Sequence, residues 1–167
     1  MPEISESKVD HQHMPTNAHP SLRPNDSLGK RPSFQEIYMK LAHDLASRST
    51  CTRLNVGTVI TSTDYRKVLS VGYNGNATGL HNSCDRLEPG NCGCLHSEEN
   101  AVINCDAPRF IEKVVFVTHL PCVQCAKRLI NLGNVRTIYY AQDYRLKDSL
   151  ELLKSVGIDV LPLETHA

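Results

Sequence analysis

The chain has 167 residues, a formal net charge of zero and a hydrophobic fraction of 40%. That length fits one domain of ordinary size. The neutral balance argues against a protein that coats a polyanion, because nucleic-acid binders carry a basic patch or stripe.

The longest apolar runs, such as "VVFV" at 114–117, are far too short to span a bilayer. The N-terminus lacks the charged-then-apolar pattern of an export signal. The expectation is a cytoplasmic protein with no membrane partner. Seven cysteines in that compartment point to metal binding or catalysis more than to disulfides, and an odd count prevents complete pairing within one chain.

Residues 1–32 read as a disordered or extended tail. They hold five of the nine prolines and three histidines, His11, His13 and His19, with no period of 2 or 3.6. Such a segment cannot bury enough surface to offset its ordering entropy, so its histidines read as part of a solvated extension and not as a metal site. The folded domain is expected over residues 33–167.

Order begins at "SFQEIYMKLAHDLASRS", where Ser33 and Glu36 have capping-box spacing. Phe34, Ile37, Tyr38, Leu41 and Leu45 recur at three and four and predict the apolar face of a helix. The β-branched runs at 55–61 and 67–74 flank the polar "STDYR" and predict a hairpin. A Gly-, Asn- and Cys-rich loop follows from Gly75 to about Leu95. "HSEENAVINC" has helical composition, and "KVVFVTH" is a continuous apolar run of the kind buried on both faces of a sheet. "CVQCAKRLINLG" predicts a helix closed by Gly133. "VRTIYYA" predicts a strand, "RLKDSLELLKSVG" a helix ending at Gly157, and "IDVLPL" a last short strand. The order α-β-β-α-β-α-β-α-β predicts an α/β fold, with its later alternation giving parallel strands and helices on both faces.

The chemistry gathers in two places. "HSE" puts His96 and Glu98 two residues apart, and "PCVQC" puts Cys122 and Cys125 one helical turn apart on one face. In the first turn of a helix the two cysteines meet the positive end of the dipole, which favours thiolate. Two thiolates and one imidazole give Zn²⁺ three ligands and leave the fourth position open, the catalytic pattern; structural sites are closed by four. Zinc lowers the pKa of bound water to about 7. On an ideal helix Glu98 would be turned about 200° from His96. If the helix instead begins at His96, both side chains converge on a pocket at its end, where a carboxyl is suited to shuttle protons. Glu99 reads as a solvated residue. His119 is expected to hydrogen-bond structurally or line the pocket, His43 has no assigned role, and Cys105 reads as a buried small hydrophobe. The competing reading of the cluster is a purely structural zinc site.

The joint pattern H-x-E…P-C-x-x-C is the signature of zinc nucleobase deaminases. From Ser33 to Leu163, about four-fifths of the chain, the sequence resembles the cytidine/deoxycytidylate deaminase superfamily, and within it the deoxycytidylate (dCMP) deaminases. The stretches "CTRLNVGTVI", "SVGYNGNATG", "HSEENAVIN", "VFVTHLPCVQCAKRLINLG" and "IYY" carry the match. The resemblance implies a three-layer αβα sandwich, the cytidine deaminase-like fold, with a mixed five-stranded sheet and zinc held between two helix N-termini. It implies hydrolytic deamination of dCMP to dUMP, with His96, Cys122 and Cys125 on the catalytic zinc and Glu98 catalytic. It also implies that Asn74 contacts the sugar, with Arg53 and Tyr140 as candidate phosphate contacts. A second, structural zinc is implied at Cys51, Cys84, Cys92 and Cys94; the alternative is a set of free thiols or a reversible Cys92/Cys94 pair. Four thiolates would close a tetrahedral site and pin the long loop. A homo-oligomer, hexamer or tetramer, is implied as well.

Two positions depart from the family pattern. Ser97 stands where relatives have alanine between the ligand and the glutamate, and Ala77 where many have proline. Other readings are deamination of another free cytidine derivative, a tRNA adenosine deaminase, and a non-catalytic zinc scaffold. Gln124, where tRNA-acting relatives carry methionine, and the neutral charge weigh against RNA. The presence of Glu98 weighs against a scaffold.

Overall fold

The computed structural model describes residues 31–86, 92–144 and 147–163. All but the last two residues of the expected tail, including its three histidines, therefore lie outside the described residues. Ser33 caps α1 (Phe34–Ala46) as its spacing predicts. Its hydroxyl accepts the Glu36 backbone N–H at 3.2 Å, and the Glu36 carboxylate accepts the Ser33 backbone N–H at 2.6 Å.

The buried face of α1 differs from the predicted one. Tyr38, Met39, Ala42 and Ala46 are buried, whereas Phe34 and Ile37 are 49% and 45% exposed. Leu41 and Leu45 pack only partly. The partner surface explains this. Gly57 opens β1 (Gly57–Ser62) so close to α1 that a Cβ there would overlap the Ala42 carbonyl oxygen and lie 2.7 Å from the Ala46 nitrogen. An approach that tight selects alanine on the helix and glycine on the strand, which a search for large apolar side chains passes over. Gly72, in β2 (Val68–Tyr73), makes the same approach to α2 (Ser97–Ile103), where a Cβ would overlap the Ser97 carbonyl and lie 2.5 Å from the Ala101 nitrogen. Both obstacles are backbone and cannot rotate away. Gly57→Ala and Gly72→Ala are each expected to destabilise the fold by about 3 kcal/mol. Urea unfolding would report this as a lowered midpoint, and a parental midpoint would mean the helices slide aside without loss.

Among the described residues one mixed sheet has five strands in the order β2-β1-β3-β4-β5. β1 is antiparallel to both β2 and β3 (Lys113–His119). β3, β4 (Val135–Gln142) and β5 (Asp159–Pro162) run parallel, and α3 (Val123–Leu132) and α4 (Asp148–Ser155) make the two connections. Alternate residues of the central strands feed two cores. Val59, Val114 and Phe116 pack with Tyr38, Met39 and Ala42 of α1. Ile60, Val115, Val117 and Ile138 pack with Ala101, Ala126, Leu129 and Leu153 from the other three helices. This is the expected α/β sandwich with helices on both faces. No helix among the described residues is long and apolar enough to cross a membrane.

One member of the apolar run is a cation. Lys113 is fully buried, and its ammonium donates to the carbonyls of Pro108, Ile111 and Gly133 at 3.1, 2.7 and 3.2 Å. Three donors meet three carbonyl acceptors at the foot of β3, so the buried charge is satisfied.

The long loop is closed at its base. Gly75 and Leu95 exchange two backbone hydrogen bonds, at 3.1 and 2.9 Å. This bridge sets the backbone immediately before His96.

Candidate active site and metal centres

His96 is the N-cap of α2 and Cys122 the N-cap of α3, both with extended backbone and neither using its side chain to cap its own helix. Both side chains are thus available at the helix ends, and the condition for His96 and Glu98 to converge there is met, since α2 starts at Ser97 with His96 as its cap. His96 Nδ1 lies 3.3 Å from the sulfur of Cys125 and 3.6 Å from that of Cys122. Zn–S bonds of about 2.3 Å and Zn–N bonds of about 2.0 Å at tetrahedral angles separate N and S ligands by about 3.5 Å. The donor set fits zinc, with three ligands and an open fourth position.

The electrostatics suit the same ion. A hydrogen bond from Cys125, then one with His96, holds the Cys122 thiol down to about 3, while the bond to Cys122 and burial push Cys125 up. His96 is raised, chiefly by its bond to Cys122. These shifts favour thiolate at Cys122, and binding a metal would release the protons that the other donors hold.

Glu98 is 4% exposed in the first turn of α2. Burial raises its pKa from the ordinary carboxylate range, opposed by its own backbone N–H, by His96 and by Ser97. The Ser97 hydroxyl, 0% exposed, has two partners: the Glu98 carboxylate at 3.0 Å and Thr58 Oγ1 at 2.8 Å. A buried hydroxyl in place of alanine is thereby satisfied.

Several expectations need correction. Glu99 is not simply solvated: it pairs with Arg128 at 3.0 Å and is only 21% exposed, tying α2 to α3. Cys105 is only partly buried, because α2 ends at Ile103 and leaves it on the following turn. Beside it a shallow cavity of about 330 Å³ is lined by Val102, Ala107, Arg109, Arg128, Asn131 and Leu132. His119 bonds Thr118 Oγ1 at 3.2 Å, and burial lowers its pKa, in line with a structural role. Asn100 gave no signal in the sequence, yet its amide donates to the Tyr73 carbonyl at 2.8 Å and fastens α2 to β2.

The candidate substrate contacts are in different surroundings. Asn74 is buried; its Oδ1 accepts from Val56 N–H at 2.8 Å and its Nδ2 donates to Leu54 C=O at 2.7 Å. It shapes the "RLNVG" segment, leaving one amide hydrogen and one lone pair for another partner. Arg53 is exposed on that segment. Tyr140 is 8% exposed within the core, and burial followed by the charge of Asp143 raises its pKa.

A second cluster gathers Cys51, Cys84, Cys92 and Cys94. Their sulfurs lie 3.7 Å (Cys51–Cys92), 3.8 Å (Cys84–Cys51) and 3.5 Å (Cys94–Cys84) apart. Tetrahedral Zn–S bonds of about 2.3 Å place sulfurs about 3.8 Å apart, whereas a disulfide brings them to about 2.05 Å. None of the seven cysteines is in a disulfide. Cys84 is lowered to about 7, first by the backbone of Thr52, while burial raises Cys51 and Cys94. Among the described residues these two clusters are the candidate metal sites.

A mixed αβα sandwich with three soft and borderline donors at two helix N-termini, beside a buried carboxyl, defines the zinc-dependent hydrolytic class. Residues 32–142 match the family model for the cytidine and deoxycytidylate deaminase zinc-binding region. The chain belongs to that family, and zinc is its metal. It is 35% identical over 143 residues to ComE operon protein 2 of Bacillus subtilis, covering 81% of this chain and 74% of that protein. It is 34% identical over 142 residues to the deoxycytidylate deaminase of Saccharomyces cerevisiae, covering 78% of this chain but only 45% of the yeast enzyme. The dCMP deaminase of cyanophage S-TIM5, solved with dCMP and dUMP, superposes with a TM-score of 0.71 at 30% identity, over 80% of this chain and 99% of that one.

Proposed function

We propose that the protein is a dCMP deaminase, hydrolysing dCMP to dUMP and ammonia. The observation that carries this reading is the fit of His96, Cys122 and Cys125 to a three-ligand zinc with buried Glu98 alongside. The deoxycytidylate substrate is supported by the similarity to the yeast and cyanophage enzymes. Bound zinc would supply a water acidified to near neutral pH. Glu98 takes the proton of the attacking water, hands it to N3 of the cytosine and then assists departure of the amino group from C4 as ammonia. A carboxyl whose pKa burial has raised is suited to hold that proton between the two transfers.

In this proposal the remaining valence of the Asn74 amide meets the sugar, and Arg53 meets the phosphate. We assign no substrate contact to Tyr140, whose ring is packed in the core and whose pKa burial, then the neighbouring Asp143 carboxylate, raises. The four-thiol cluster is proposed to hold a second, structural zinc. A cytoplasmic homo-oligomer completes the reading, and analytical ultracentrifugation measures its size.

Ammonia release from dCMP, CMP, deoxycytidine, cytidine, dCTP and adenosine in tRNA tests the substrate. We expect the highest kcat/KM for dCMP. Preference for an unphosphorylated nucleoside would remove Arg53 from the site, and turnover of tRNA alone would overturn the free-nucleotide reading.

A further inference from the structure

Thr58 on β1 and Ser97 on α2 are both completely buried, and their hydroxyl oxygens lie 2.8 Å apart. Ser97 Oγ also lies 3.0 Å from Glu98 Oε2. Each hydroxyl has one proton to donate and two lone pairs. The Ser97 proton is committed to the carboxylate, which has none to give when ionised, so Thr58 donates to Ser97. The direction of the chain is therefore Thr58 to Ser97 to Glu98. Its base is stiff, since Thr58 lies in a strand paired on both sides, opposite Gly72 in β2 and Val117 in β3.

A glutamate in the first turn of a helix has three side-chain torsions, and most of their combinations carry the carboxyl away from a site at the helix end. The Ser97 hydroxyl is the side-chain hydrogen-bond donor that meets Glu98 among the described residues. It holds Oε2, beside the carboxyl's bond from its own backbone N–H. We propose that Thr58 and Ser97 form a hydroxyl relay that fixes the Glu98 carboxyl, making Ser97 a positioning residue for the proton shuttle and Thr58 its brace in the sheet. The proposal rests on the deaminase reading above. It extends that reading to two hydroxyl side chains outside the metal-ligand set.

The test uses the zinc-loaded full chain with Ser97→Ala, Thr58→Val, Thr58→Ser and the double variant Ser97→Ala/Thr58→Val, assayed on whichever substrate of the panel turns over fastest. Ser97→Ala is expected to lower kcat about 10-fold or more through misplacement of the carboxyl, with KM held within about 2-fold because ground-state binding is untouched. Zinc content should stay parental. Thr58→Val should lose less, and Thr58→Ser, which keeps the hydroxyl, should restore most of that loss. Because Thr58 acts only through Ser97, the double variant should be no slower than Ser97→Ala alone. Parental kcat in Ser97→Ala, or multiplicative losses in the double variant, overturns the relay while leaving the deaminase reading intact. A readout without turnover separates the two ideas. In metal-free protein labelled with ¹³C at glutamate carboxyl carbons, Glu98, assigned by its loss in Glu98→Gln, should give one narrow line. That line should broaden or split in Ser97→Ala. If no substrate in the panel reacts, the deaminase reading fails, and an unchanged Glu98 line in Ser97→Ala then overturns the relay as well.

Discussion

Glu98→Gln is expected to lower kcat by about four orders of magnitude, the upper range for removing a general acid–base that acts more than once per turnover. Glutamine keeps the size, can still accept the Ser97 hydroxyl at its oxygen and carries no transferable proton. The zinc donors His96, Cys122 and Cys125 are untouched, so metal content should remain parental. Stability should not fall, and the sign follows from burial. Glu98 is raised above its unfolded pKa near 4.5. A group raised in the fold contributes stability that is present below the unfolded pKa and lost as pH rises through the folded one. At neutral pH the carboxylate therefore weighs against the metal-free fold, and glutamine, neutral throughout, removes that burden. Calorimetry of the metal-free proteins should show Glu98→Gln gaining on the parent from pH 4.5 to 7. Near-parental turnover in the variant would sink the mechanism.

Two zinc ions per chain are expected from metal analysis of fully loaded protein, and Cys94→Ser should retain about one. The four sulfurs tie Cys51, after α1, to the loop carrying Cys84, Cys92 and Cys94. Among that loop's described residues Leu80 is 60% exposed and anchors little. A zinc held there would contribute directly to folding. Losing about 3 kcal/mol would lower the melting temperature by ~10 °C at this size. Cys94 lies two residues before His96 and next to the Gly75–Leu95 bridge, so activity should fall too, through misplacement of His96. The discriminating control is metal content. One zinc in the well-loaded parent would remove the second site, and parental stability in Cys94→Ser would show that the loop does not depend on it.

The order of helices and strands was legible because periodicity changes from 3.6 to 2 along the chain and glycines mark the ends. The catalytic cluster was legible because its ligands come in short local motifs, each opening a helix. Where reading failed, the deciding contact was distant in sequence. The face that α1 buries was chosen by Gly57, which admits only Ala42 and Ala46 at backbone distance. Glu99 looked solvated until Arg128 of α3 came within 3.0 Å. Lys113 sat in an apolar run, and only the turns that place the Pro108, Ile111 and Gly133 carbonyls around it explain how its charge is buried.

The stretch "NCGCLHSEEN" shows the division most directly. Sequence alone determined its residue types and spacing: three metal-ligand side chains (Cys92, Cys94 and His96) and two carboxyls within ten positions. Composition and spacing did not say which of them act together; the family resemblance implied a division, and the tertiary structure brings the groups together in space. Cys92 and Cys94 join Cys51 and Cys84, while His96 joins Cys122 and Cys125. The physical reason is that a tetrahedral site needs ligands converging from several directions, and neighbours on one extended chain cannot supply them all. The Gly75–Leu95 bridge and the two helix N-termini bring the missing ligands in from elsewhere.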